Sequence, residues 1–76
     1  MANDSYNKGG KKTMYDDRME LYRLAARKVK ETGYPVTKDR VWDMFVSISI
    51  KHYPECLKPH NSKIYFEALK KEGLMQ

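Results

Sequence analysis

Two interruptions decide which architectures are open to this chain. Gly33-Tyr34-Pro35 and the stretch 54–60, which holds Pro54 and Pro59, cut residues 13–76 into three segments. In each segment apolar side chains recur every three to four positions, so the spacing predicts helices at about 14–32, 38–53 and 62–72. The expected fold class is all-α, a compact bundle of three main helices forming one domain over residues 13–76.

Local signals fix the helix ends. Thr13 is placed as the N-cap of the first helix, with Asp16 three positions on as a short form of the capping box, and Gly33 ends it. In projection Met14, Leu21, Tyr22, Ala25 and Val29 share an apolar arc edged by Tyr15 and Ala26, opposite Asp16, Glu20, Arg23, Arg27 and Lys30. Acids gather in the first half of this helix and bases in the second, as its dipole favours. The adjacent pair Asp16-Asp17 has that structural explanation and needs no catalytic one.

Thr37 is the expected N-cap of the second helix, with Val36 stapling onto Val41, and Pro54 limits the helix to Tyr53. Its arc of Met44, Ile48, Val41, His52, Phe45, Trp42, Tyr53 and Val46 covers more than half the circumference, which predicts the central, most buried helix. Val46-Ser47-Ile48-Ser49-Ile50 also alternates with the period of a strand. The chain holds no comparable alternation to pair with it, so helix is the preferred reading. Residues 54–60 read as a loop with a short helical turn around Glu55 to Leu57.

Asn61-Ser62 opens the third helix, Ile64, Tyr65, Ala68 and Leu69 are its expected core side, and Gly73 stands where a left-handed C-cap belongs. Leu74 is placed to reach back to Leu69, the contact of a Schellman ending.

Residues 1–12 hold Gly-Gly, three lysines and only Met1, Ala2 and Tyr6 as apolar side chains, so they are expected to form a flexible basic arm. Net charge is +5, spread thinly along the chain, which favours an acidic partner without choosing among nucleic acid, membrane and protein. The single cysteine, Cys56, allows no intramolecular disulfide and fits a reducing compartment. No apolar run exceeds three residues, too short for a signal peptide or a membrane span, and a soluble cytoplasmic protein is expected.

Catalytic and metal constellations are thin. His52, Cys56 and His60 recur at intervals of four, but a structural zinc wants four ligands and prolines 54 and 59 interrupt any helix that would align the three. The plain expectation is His52 packed in the arc of the second helix, Cys56 a small buried hydrophobe and His60 a loop residue. Cys56 has no evident base and oxyanion site, and Gly9-Gly10-Lys11 lacks the strand and glycine spacing of a phosphate loop. The expectation is therefore no enzyme, no cofactor and no metal.

Two polar stripes remain. Arg23, Arg27 and Lys30 lie on one face of the first helix, and Lys63, Glu67 and Lys70 on one face of the third, flanked by Phe66 and Lys71. Either could meet phosphates, and a solvated charged face accounts for either as well. With Asn61 and Ser62, the second stripe presents donors and acceptors suited to a major groove. Of nine aromatic residues, Tyr22, Trp42, Phe45 and Tyr65 fall on core faces, leaving Tyr6, Tyr34 and Phe66 for contacts.

The segment Asn61-Ser62-Lys63-Ile64-Tyr65-Phe66-Glu67-Ala68-Leu69-Lys70-Lys71-Glu72-Gly73-Leu74-Met75 resembles the recognition helix of winged-helix and helix-turn-helix DNA-binding proteins. The likeness covers residues 61–75 and no wing. It implies binding to duplex DNA, rather than RNA, through Ser62, Lys63, Glu67 and Lys70, with the second helix in support. Combined with the stripes, the expected nucleic-acid-binding set is Arg23, Arg27, Lys30, Asn61, Ser62, Lys63, Glu67 and Lys70, helped at phosphates by Lys8, Lys11 and Lys12. The alternative is an inhibitor or adaptor that docks on an acidic protein through its tyrosines and Phe66. An exposed Phe66 or Met75 would also suit a homodimer.

Overall fold

The computed structural model describes residues 14–76, with side chains from Asp16 onward. The arm, including Lys8, Lys11 and Lys12, and the Thr13 cap lie outside the described residues. The order is α1 (Met14–Glu31), α2 (Lys38–His52), a 3-10 turn (Pro54–Leu57) and α3 (Ser62–Lys71), with no strand among the described residues. The fold is the expected all-α one. The C-terminal helix boundaries each fall one residue short of the sequence expectation, within the fraying of any helix end.

The caps form as the local chemistry requires. Thr37 accepts from the Arg40 amide at 3.4 Å, and Asn61 accepts from the Lys63 amide at 3.1 Å. Gly33 and Gly73 leave their helices at φ +87° and +76°, the left-handed region. At the end of α3 the Leu74 amide donates to the Leu69 carbonyl at 2.9 Å and Gly73 to Lys70 at 3.1 Å, the paired bonds of a Schellman motif. The chain then turns back, burying Met75, and the Gln76 amide donates to the Val36 carbonyl at 3.2 Å.

Residues 46–50 are helical throughout. A strand would have put Val46, Ile48 and Ile50 on one face; the helix leaves Val46 and Ile48 half-buried, Ile50 64% exposed and Ser49 fully buried. Packing therefore overrides β-propensity here, and the Ser49 hydroxyl is left without a hydrogen-bond partner.

Centrality falls to α1, not α2. α1 contributes Met19, Leu21, Tyr22, Ala25, Ala26 and Val29 to the buried set, whereas α2 contributes only Val41, Phe45 and Ser49. The arc of α2 is wider than its neighbours cover, so Trp42, Tyr53 and His52 are exposed. Tyr22 is the hub. Its ring stacks between Phe45 at 4.2 Å and Tyr65 at 4.7 Å, Phe66 meets it edge-on at 5.4 Å, and Trp42 extends the column beyond Phe45 at 5.5 Å.

α3 is rolled from its expected seat. Phe66, expected on the surface, is buried, and Ile64, expected in the core, is 43% exposed, because the larger ring fills the edge position on Tyr22. With Met75 also buried, neither side chain suggested for a dimer face is available for one.

Two long-range devices close the bundle. Arg18 donates through Nε to the Cys56 carbonyl at 3.2 Å and through Nη2 to the Lys58 carbonyl at 3.1 Å, holding the 3-10 turn on α1. Arg23 forms a fork on Glu72, Nε to Oε1 at 2.9 Å and Nη2 to Oε2 at 2.8 Å, tying α1 to the exit of α3.

Candidate nucleic-acid interface

α3 carries its buried residues Tyr65, Phe66 and Leu69 on one side, which leaves Lys63, Glu67, Lys70 and Lys71 exposed on the other. Because α3 is rolled, its stripe flanks the amino-terminal half of α2 across an open cleft of about 520 Å³. From α3 the cleft is lined by Ser62, Lys63, Phe66, Glu67 and Lys70; from α2, by Lys38, Asp39 and Trp42. Trp42 is 39% exposed, with its ring backed by Phe45. Three ammonium groups face two carboxylates, so the lining is weakly positive and mixed in sign.

Four of the eight expected residues, Ser62, Lys63, Glu67 and Lys70, are thus brought together. Asn61 is adjacent, but its side-chain oxygen is committed to capping α3. Lys38, Asp39 and Trp42 were not foreseen as members of a site. The one signal for them is the place of Trp42 at the edge of the apolar arc of α2, where a large ring is easily left half-covered.

The α1 stripe is organised differently. Besides its fork on Glu72, Arg23 donates through Nη1 to Glu20 at 3.0 Å. Hydrogen bonding to Glu72 keeps the Arg23 guanidinium protonated even more firmly than usual, and the same bond holds the Glu72 carboxyl below its ordinary value. A guanidinium so neutralised is a poor phosphate anchor. Arg27 is exposed but lines a groove with Asp17, Glu20 and Glu55, an unfavourable setting for a polyanion. Lys30 is exposed in the last turn of α1.

The His52, Cys56 and His60 spacing does not converge: no group of three metal-capable side chains assembles among the described residues. His52 is exposed, contrary to its expected packing, because α2 ends there and α1 does not cover it. Cys56 is buried as expected, and burial pushes its thiol up from its ordinary value. His60 is a loop residue with a structural task. Its Nδ1 lies 2.9 Å from the Lys58 carbonyl, which can only accept, so in the neutral imidazole Nε2 is the acceptor for the Tyr22 hydroxyl at 2.8 Å. Burial raises the Tyr22 phenol above its ordinary value and keeps it a donor.

No helix of the described residues is long and apolar enough to cross a membrane. The chain matches no protein-family model, no curated protein and no solved structure. Function therefore has to be argued from the site alone.

Proposed function

We propose that this chain is a small, non-enzymatic, helix-turn-helix-like nucleic-acid-binding protein of regulatory type, acting in the cytoplasm on duplex DNA. The observation that carries this reading is the convergence of Ser62, Lys63, Glu67 and Lys70 on one cleft with Lys38 and Trp42. Lys38, Lys63, Lys70 and Lys71 would meet phosphates, and Ser62 and Glu67 would face base edges. Arg23 is assigned to the scaffold. Arg27, set among carboxylates, is left out of the interface, and Lys30 becomes a peripheral contact.

Titration of a labelled duplex at low and moderate salt tests the reading. Binding that weakens steeply with salt supports it; no binding at low salt, or binding indifferent to salt, refutes it.

A protein partner is the second reading, favoured by the exposed Trp42 ring among the mixed charges of the cleft and by the exposed Ile64 side chain elsewhere on α3. Affinity capture with and without nuclease separates the two. Loss of all partners on nuclease treatment favours nucleic acid, and retention of an acidic protein favours an adaptor or inhibitor.

A further inference from the structure

Sharing no lining residue with the α3 cleft, two adjoining grooves run along α1 and the end of α2. One, of about 450 Å³, is lined by Asp17, Glu20 and Glu55 against the single cation Arg27. The other, of about 510 Å³, is lined by Lys28, Lys51 and His52 and by no carboxylate. Leu24 and Tyr53 line both and form the ridge between them. They are 37% and 46% exposed and stand outside the buried cluster, so the fold does not account for their apolar surface. Among the described residues Lys28, Lys51 and Glu55 make no ion pair within the chain, whereas Glu20 is held by Arg23.

We propose that this face is the contact between two copies of the chain, related by a two-fold axis running along the Leu24–Tyr53 ridge. An axis so placed turns the acidic groove of one copy onto the basic groove of the other, twice over by symmetry. An axis across the ridge would set like charges against each other. The ridge then meets its own copy at the centre, with Tyr53 as the aromatic anchor and the charges at the rim, the usual arrangement of a specific interface. A second copy is the one partner whose charge pattern is known to be the complement, because the surface carries both halves. The α3 cleft is left open on each copy.

Sedimentation equilibrium of the full chain from micromolar to millimolar concentration tests this. A reversible monomer–dimer equilibrium is expected. Leu24→Glu, Lys28→Glu and Glu55→Lys should each weaken it by about tenfold or more, since each sets a desolvated or like-charged group in the contact. The decisive sample is an equimolar mixture of Lys28→Glu with Glu55→Lys. In it one charge pair is the native one, Glu55 of the Lys28→Glu chain against Lys28 of the Glu55→Lys chain, and the other is restored with inverted sign, so a heterodimer should form with affinity close to that of the unaltered chain. Circular dichroism checks that the variants stay helical. Lys28 and Glu55 are exposed, so their variants carry the test if Leu24→Glu loses helicity. A chain that stays monomeric leaves this surface to another partner and overturns the proposal. So does a dimer indifferent to the ridge and charge substitutions, or a mixture that associates no better than its components.

Discussion

If the α3 cleft meets phosphates, the salt dependence of binding is set by the cations that face it, and the structure identifies them. Lys38, Lys63 and Lys70 line the cleft, and Lys71 is exposed beside them on α3. Four phosphate contacts on duplex DNA give a slope of log affinity against log salt of about −3.6, which amounts to about a 150-fold loss between 50 and 200 mM. Lys63→Gln should lower the slope to about −2.7 and the loss to about 40-fold; adding Lys70→Gln should bring them to about −1.8 and about 12-fold. Fluorescence anisotropy of one labelled duplex over that salt range measures every slope. Arg23→Gln is the control. Its guanidinium is occupied by Glu72 and Glu20, so it should leave the slope unchanged and show its effect in the denaturant midpoint instead. An unchanged slope in the Lys63→Gln/Lys70→Gln double variant would refute the assignment of the interface. A drop of about one unit with Arg27→Gln in place of Lys63→Gln would move the interface to α1.

Three further outcomes test the fold that holds the cleft. Ser49→Ala should stabilise the protein by about 1 kcal/mol, because it removes a buried hydroxyl with no partner; urea denaturation showing a loss instead would mean the hydroxyl is satisfied. Gly73→Ala should destabilise by about 1–2 kcal/mol and Gly73→Asn by less, since an added Cβ meets nothing within 4 Å and the backbone angle alone sets the effect. The Glu72 carboxyl is held down by Arg23, so its contribution is complete above its ordinary value of 4.5 and is lost as pH falls below that through its folded value. The urea midpoint should therefore decline on acidification through that window, and Glu72→Gln should flatten the decline; equal slopes would show that the fork contributes nothing to stability.

What could be read from the chain itself divides along a physical line. Caps and breaks act over a few residues, so Thr37, Asn61 and Gly73 announced the helix ends, and the Schellman ending at Gly73-Leu74 followed from its neighbours alone. The rotation of each helix depends on partners distant in sequence, such as Glu72, which lies 49 residues from Arg23. No local pattern distinguishes Ile64 from Phe66 as the residue to bury; the open edge of the Tyr22 ring does.

That one choice also shapes the site. Had Ile64, Tyr65, Ala68 and Leu69 faced inward, Lys63, Glu67 and Lys70 would point straight away from the body of the protein. Burying Tyr65, Phe66 and Leu69 instead rolls α3 by about 75°, on the basis of 100° per residue. Ile64 is uncovered beside Lys71, and the stripe turns onto the flank facing α2, where it meets Lys38 and Trp42. The stripe was legible because a roll of this size leaves it outside the core either way. The cleft was not, because it exists only through that roll, and the roll is decided by the aromatic column around Tyr22.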